Sequence, residues 1–212
     1  MLEEDELTEL KSRLKQVFSG YSEIAGGKNY RYMHLNTTRK IALNLEEELD
    51  VAVDKEVLEV ASLYHDIGRS EDIEDGEMDP FEGHEGHDRR GAEIVGEYVS
   101  DFLTENQLKK VEKIIRNHHS KPETVEGRIV QDADKISNFG VNNLWRQFHY
   151  AAHHKRSLYE GLNYFKNTAI GEYKEKIGKL HFEKSKEIAR KRLEKHENAV
   201  KQIEKEIKAK DF

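Results

Sequence analysis

Apolar residues recur along most of the chain at the spacing of three or four that is typical of amphipathic helices. Leu7, Leu10 and Leu14 form the first such stripe, which predicts a helix near residues 2–18. No stretch shows a sustained alternation of apolar and polar residues, and no Asn-Gly or Asp-Gly pair is flanked by two strand patterns. The pattern therefore predicts an all-α protein.

The same spacing and its interruptions predict the other helices. They cover about 33–48, 54–66, 87–102, 105–119, 124–138 and 180–208, with several more after Gly140. Thr104 and Gln107 are spaced as a capping box at the start of the fifth helix. Residues 20–32 and the acidic, glycine-containing stretch 69–86 are predicted to be loops. The long charged final helix either packs on the body or serves as a dimerisation or partner helix.

Composition narrows the chemistry, because the chain contains no cysteine but eleven histidines. Disulfides, zinc-thiolate sites and cysteine nucleophiles are excluded. Six of the histidines lie between positions 34 and 119, which favours a metal site of imidazole and carboxylate ligands. Chance clustering of the histidines is the alternative at this point.

Length and charge set the wider expectations. The 212 residues fit a single helical domain, 1–212, with a core at about 20–145 and a C-terminal helical extension at about 146–212. The net charge of −7 argues against non-specific nucleic-acid binding. No apolar run approaches the length of a membrane span, and the N-terminus is acidic. A cytoplasmic protein without a membrane partner is expected.

The pair His65-Asp66 is the first candidate for chemistry. It follows the apolar run 60–64, where a charged carboxylate beside an imidazole is costly unless something compensates. A metal cation is one such compensation, since imidazole supplies a nitrogen ligand and Asp an oxygen ligand. The dipeptide alone is common, so the neighbours matter: His34 lies about thirty residues upstream, and Asp134 lies in a second apolar context.

With these residues the sequence resembles the HD-domain superfamily of metal-dependent phosphohydrolases, whose pattern is H…HD…D on a helical bundle. The resemblance covers residues 30–140, with the runs HDIGR at 65–69 and DADK at 132–135 typical of small HDIG-type members. The stretch 180–183 before the last helix resembles the tail of such proteins. The implied fold is an HD-domain helical bundle with a long C-terminal helical extension.

The resemblance implies that one metal is held by His34, His65, Asp66 and Asp134. Asp132 is not expected to share that role, because residues two apart on a helix point to nearly opposite sides. The superfamily pattern of Ala, ligand Asp, then Lys or Arg also selects Asp134. Asp132 is expected to be a solvated or helix-capping acid.

A second group of histidines resembles the binuclear branch of the superfamily, which includes the HD-GYP phosphodiesterases. His87 precedes a Gly-Ala-Glu-Ile segment, and the pair His118-His119 follows later, so the pattern is H…HD…H…HH…D with Asp66 as the implied bridge. Ser120-Lys121-Pro122 stands where that branch has Gly-Tyr-Pro, which argues against cyclic-dinucleotide specificity. Whether His118 or His119 is the ligand stays open, since neighbours on a helix diverge by about 100°.

The predicted activity is hydrolysis of a nucleotide-like phosphate ester or pyrophosphate by metal-activated water. Catalytic roles are predicted for Asp66, Arg69 and Lys135. Substrate-binding roles, as clamps on phosphoryl oxygens, are predicted for Arg69, Arg90, Lys121 and Lys135, with Arg89 as a further candidate.

The His and Asp ligand mix suits manganese, iron, cobalt, nickel or zinc, and magnesium could bind beside a phosphate. One metal site is expected, with a second open. The expected partner is a small phosphorylated metabolite or nucleotide, and a homo-oligomer is not excluded. Two other functions remain: an HD-fold di-iron oxygenase, and a non-catalytic nucleotide- or metal-binding module.

Overall fold

The fold is all-α, as predicted, in a computed structural model that describes residues 2–24, 26–74, 77–78 and 86–210. The α-helices are α1 (Glu4–Phe18), α2 (Tyr30–Leu49), α3 (Lys55–Tyr64), α4 (His87–Ile94), α5 (Gly96–Val99), α6 (Glu105–Arg116), α7 (Val125–Ser137), α8 (Asn143–His153), α9 (Leu158–Tyr164), α10 (Ile170–Gly178) and α11 (Glu183–Ile207). Two 3-10 segments (Ile67–Asp72 and Ser100–Phe102) and a π-helical segment (Phe165–Ala169) complete the helical elements.

The predicted helix over 87–102 is interrupted, since α4, α5 and a 3-10 turn share that stretch. The predicted capping box is confirmed: Thr104 Oγ1 accepts from the backbone N–H of Gln107, and the Gln107 side chain accepts from the backbone N–H of Thr104. Asp54 caps α3 in a similar way by accepting from the N–H of Val57. Such caps satisfy backbone donors that the first helical turn leaves unpaired.

Four strands of two residues each lie within the stretches predicted to be loops. They are β1 (Ser22–Glu23), β2 (Gly27–Lys28), β3 (Ile73–Glu74) and β4 (Glu77–Met78), in the order β2-β1-β4-β3. The pairs β1–β2 and β3–β4 are antiparallel, and β1–β4 is parallel. Strands this short carry no alternating pattern, which is why the sequence did not indicate them. His84, a histidine of the predicted acidic loop, lies outside the described residues.

The core lies between α2, α3, α6 and α7, and this packing sets the position of the site. α2 packs along both α3 and α7, and α3 also packs on α6. Fully buried apolar side chains such as Leu35, Leu58, Leu63 and Val130 fill the space between these helices. Because the four helices share one core, their polar residues at one end are brought together.

The last helix packs on the body through its buried residues, including Ala189, Leu193 and Val200. Its start is attached by Asp132, which is fully buried and accepts from the backbone N–H groups of His181 and Phe182. Asp132 is therefore not solvated, and it binds the backbone just before α11 instead of capping the first turn of a helix. No helix among the described residues is both long and apolar enough to cross a membrane.

Gly68 lies where the turn after α3 touches the start of α4, and this contact leaves no space for a side chain. A Cβ at Gly68 would overlap the carbonyl oxygen of His87 and lie 2.5 Å from the backbone nitrogen of Gly91. We therefore expect Gly68→Ala to lower the free energy of unfolding by about 3 kcal/mol, the upper range for overpacking. Urea denaturation measures this change.

Gly171→Ala is the matched control, since a Cβ there meets nothing within 4 Å. It lies inside α10, where alanine should add about 0.5–1 kcal/mol of stability over glycine. Equal urea midpoints for Gly68→Ala and the unaltered protein would show that the two backbone segments are not in close contact.

Candidate metal centre

Seven predicted ligands meet at one end of the core, although they come from five parts of the chain. His34 lies near the start of α2 and Asp134 near the end of α7. The other five sit just beyond a helix end or at a helix start: His65, Asp66, His87, His118 and His119. Their donor atoms form two groups, Asp66 with His34 and His65, and Asp66 with His87, His118 and His119.

Asp66 belongs to both groups and uses a different oxygen for each. Its Oδ2 lies 3.7 Å from Nε2 of His34 and 3.7 Å from Nε2 of His65. Its Oδ1 lies 3.2 Å from Nε2 of His87 and 3.3 Å from Nε2 of His118. Donor atoms that share a cation at about 2.1 Å lie about 3 Å apart. The carboxylate therefore lies where one oxygen could serve each of two neighbouring cations.

Asp134 completes the first group from the opposite side. Its Oδ1 lies 3.3 Å from Nε2 of His34 and 3.7 Å from Nε2 of His65. The four side chains of the expected H…HD…D set are thus brought together, with His34, His65 and Asp66 buried.

Hydrogen bonds at the far ring nitrogens orient the imidazoles. Nδ1 of His65 donates to the Ser62 carbonyl at 2.9 Å, and Nδ1 of His118 donates to the Ile115 carbonyl at 2.6 Å. In the neutral form of each ring, Nε2 is then the acceptor nitrogen, and it points into the centre.

His34 has the same orientation through a hydroxyl group. Ser137 Oγ donates to the Asp134 carbonyl at 2.7 Å, so its oxygen accepts from Nδ1 of His34 at 3.0 Å. Second-shell bonds of this kind fix the tautomer of metal-binding histidines.

The centre fits divalent cations. Within the described part of the chain, Nε2 of His65 and Nε2 of His118 are buried without a hydrogen-bond partner. A buried polar atom without a partner is costly, and a cation in each group would satisfy the nitrogen of that group. The donors are imidazole nitrogens and carboxylate oxygens, a set that suits transition metals.

The protonation of the carboxylates supports this fit. Burial would raise the pKa of Asp66, but the charges of His65 and Arg31 outweigh it and hold that pKa well below its usual range. Burial also opposes ionisation of Asp134, whose pKa is nevertheless held well below its usual range by the neighbouring imidazoles of His34 and His65. Both carboxylates are therefore ionised and available to a cation.

The two members of the His118-His119 pair differ in what they face. The buried His118 points at Asp66, whereas Nε2 of His119 lies 2.9 Å from Nε2 of His87 at the rim. Desolvation, and then the nearby His118, lower the pKa of His119 to about 3. His119 is therefore neutral and shares the second group through His87.

A cavity of about 570 Å³ opens onto this centre. Arg69 and Lys135 line it beside His34, Asp66 and Asp134, as expected for residues that would bind phosphoryl oxygens. Burial lowers the pKa of Arg69, and its Nε lies 3.3 Å from Asp72 Oδ2.

Two other predicted phosphate-binding residues lie elsewhere. Arg90 pairs with Glu71 and Asp72, and Lys121 is exposed beyond the His pair, so neither lines the cavity. Arg89 is exposed on α4 beside Glu93. Basic residues near a ligand in sequence are often paired with acids of their own, and the sequence does not show this pairing.

Arg31 contacts the centre and Glu23 contacts Arg31, although neither residue was predicted from the sequence. Arg31 is hydrogen-bonded to Asp66 Oδ2 and lies 2.6 Å from Glu23 Oε1 through its Nε. Glu23 belongs to β1, one of the strands that the sequence did not indicate. The position of Arg31, three residues before His34, was the only available signal.

The far wall of the cavity comes from the C-terminal part of the chain. Its aromatic and amide residues are Phe139, Asn143, Gln147, Tyr150, Tyr164 and Tyr173. The Tyr173 hydroxyl accepts from the side-chain amides of both Asn143 and Gln147. The wall therefore combines flat apolar rings with amide groups.

The remaining histidines among the described residues lie outside the centre. His181 donates from Nε2 to Gln131, and His196 is fully buried against Phe165. Burial lowers the pKa of His196 to about 4. His149, His153 and His154 lie in or next to α8.

A family model described as the HD domain matches residues 31–138, which include all seven side chains of the centre. No curated protein has a significantly similar sequence.

Three solved structures illustrate the likeness in fold. Bacillus subtilis YpgQ in complex with ADP is 18% identical and has a TM-score of 0.67, with 95% of each chain covered. An HD-superfamily hydrolase from Bacillus thuringiensis is 20% identical, with a TM-score of 0.68 and coverage of 97% of this chain and 98% of that one. A predicted HD superfamily hydrolase from an uncultured Thermotogales bacterium is 19% identical, with a TM-score of 0.66 and coverage of 94% and 92%. The shared architecture spans nearly the whole chain.

Proposed function

The chain belongs to the HD-domain family, and from this premise we propose that it is a metal-dependent phosphohydrolase acting on a nucleotide-like phosphate ester or pyrophosphate. One observation carries the proposal: the two oxygens of Asp66 face two sets of imidazole Nε2 atoms at the end of a cavity that basic side chains line. Metal-dependent phosphate hydrolysis needs cations and basic side chains at one place. This end of the cavity contains both the candidate cation ligands and basic side chains.

The first cation would be held by His34, His65, Asp66 and Asp134, and a second by Asp66, His87, His118 and His119. When bound, divalent cations lower the pKa of an attacking water and offset the charge of the phosphoryl group. Lys135 and Arg69 line the same end of the cavity and would bind the phosphoryl oxygens. Asp66, or another carboxylate beside the cations, would assist proton transfer from the water.

The nucleotide-like substrate class is supported by the cavity and by one relative. The far wall of the cavity offers tyrosine rings on which a planar base could stack and amide groups that could hydrogen-bond to such a base. YpgQ, which shares the fold, was solved with ADP. A non-catalytic binding module is disfavoured, because every residue of the H…HD…H…HH…D pattern is present and directed at one place.

Activity should appear only with a divalent cation. We expect the protein with manganese or cobalt to release phosphate or pyrophosphate from at least one member of a nucleotide panel, and a chelator to stop it. Product analysis by ion chromatography measures the reaction, and re-addition of the cation is the control for damage by the chelator.

Two other outcomes would replace this proposal. Two bound irons with oxygen consumption would favour the oxygenase. Cation and nucleotide binding without product from any phosphorylated compound would favour the binding module.

Cation binding should also stabilise the fold. At a free manganese concentration about 100 times the dissociation constant, binding adds about 2.7 kcal/mol, which for a chain of this length raises the melting temperature by about 5–10 °C. Differential scanning calorimetry with and without a chelator measures the shift. An unchanged melting temperature at saturating cation would contradict the proposed ligand set.

A further inference from the structure

Arg31 lies between two buried carboxylates at the edge of the centre. Its Nε lies 2.6 Å from Glu23 Oε1, and its Nη1 bonds to Asp66 Oδ2. Only 12% of the Arg31 side chain is accessible, against 3% for Glu23 and 8% for Asp66. Charged hydrogen bonds that are this well shielded from water are strong.

The oxygen that Arg31 binds is the one that the first cation would need. Asp66 Oδ2 faces Nε2 of His34 and Nε2 of His65, whereas Oδ1 faces the second group of histidines. A guanidinium on Oδ2 removes one acceptor from the first group and places a positive charge beside it. Arg31 and a cation on that side of Asp66 therefore oppose each other.

Glu23 keeps Arg31 in place when Asp66 is occupied. The guanidinium carries five N–H donors, and the bond to Glu23 uses only the Nε donor. Arg31 also lines the cavity, together with Asp66 and Lys135. Once a cation takes Oδ2, the Nη donors of Arg31 remain at the cavity surface without that acceptor.

We infer that Arg31 couples the two binding events: it competes with the first cation for Asp66 Oδ2, and after displacement it binds a phosphoryl oxygen of the substrate. Glu23 is the positioning residue, because it holds the guanidinium both when Arg31 binds Asp66 and when Arg31 binds the substrate. This inference rests on the proposed function. It adds to that function a residue that weakens the binding of the first cation and strengthens the binding of the substrate phosphoryl group.

The test measures binding, not turnover. Titration calorimetry with manganese alone should show that Arg31→Gln binds the cation about tenfold more tightly than the unaltered protein, because a buried like charge is removed. Inorganic phosphate should bind the manganese-loaded variant about tenfold more weakly, since a charge-assisted hydrogen bond is lost. General damage to the site would weaken the binding of both manganese and phosphate. Tighter manganese binding together with weaker phosphate binding therefore identifies the coupling.

Two further variants separate the role of Arg31 from side effects. Arg146→Gln removes another cavity arginine, one that lies over the Tyr30 ring and bonds to Asn138, and it should leave manganese affinity within about twofold. Glu23→Gln/Arg31→Gln avoids leaving Glu23 buried and unpaired, and it should still bind manganese more tightly than the unaltered protein.

The outcomes are distinct. Equal or weaker manganese binding by both Arg31 variants would overturn this inference, as would unchanged phosphate binding. Failure of the unaltered protein to bind any divalent cation would instead overturn the proposed function. Circular dichroism melts of each variant confirm that the measured protein is folded.

Discussion

Asparagine in place of Asp66 is expected to lower kcat/KM by about 10³-fold or more, because several kcal/mol of transition-state stabilisation by the cations are lost. An amide has the same shape but one oxygen and one NH2 group. Whichever way it is oriented, one group of imidazoles would face a donor instead of an acceptor. Steady-state kinetics on the best nucleotide and manganese titration measure the two losses.

Glu93→Gln is the control for the change of charge, since Glu93 is an exposed carboxylate on α4. It should leave both quantities unchanged. If Asp66→Asn kept a tenth of the activity and bound manganese normally, Asp66 would not be the shared ligand.

The second large effect is expected at Asp134, and the chain provides its matched control two residues away. Asp134→Asn removes the carboxylate that faces both His34 and His65, so manganese affinity should fall by about 100-fold or more, at least the loss seen when outer-shell partners are removed. Activity should fall with it. The same titration and kinetic measurements apply.

Asp132→Asn should behave in the opposite way. Asp132 binds the backbone at the start of α11 and makes no contact of its own with the imidazoles of the centre. Its loss should lower the free energy of unfolding by about 1–3 kcal/mol, the usual cost of weakening a buried charged hydrogen bond. Manganese affinity should be kept. If both variants lost the cation equally, the distinction between Asp134 as a ligand and Asp132 as a structural acid would be wrong.

Local patterns in the sequence predicted the fold class, whereas the resemblance to the HD-domain superfamily implied that the seven side chains would be brought together. Thr104 and Gln107 identify their helix start through backbone chemistry that acts within three residues. Asp132 and Asp134 could be separated because helix geometry sends them to different sides.

Contacts between distant parts of the chain could not be predicted in this way. Arg31 meets Asp66 because α2 packs against α3, and Glu23 meets Arg31 because β1 lies against α2. A two-residue strand leaves no pattern in the sequence. Arg90 looked as suitable for phosphate as Arg69, but its acidic partners are brought to it by folding.

The far wall of the cavity could not be predicted from the sequence either. Tyr150, Tyr164 and Tyr173 belong to α8, α9 and α10, and their rings reach one cavity through tertiary packing. Each tyrosine, taken alone, resembles an ordinary residue of an amphipathic helix.

The two ends of this cavity have separate origins along the chain. All seven candidate ligands lie within the matched residues 31–138, whereas the tyrosine wall begins after them. Mutations that reshape α8–α10 can thus change which molecule fits the cavity while the candidate ligands stay in place. Selectivity and cation binding are thus separable in this chain, because substitutions in its C-terminal third can alter one without disturbing the geometry that the other needs.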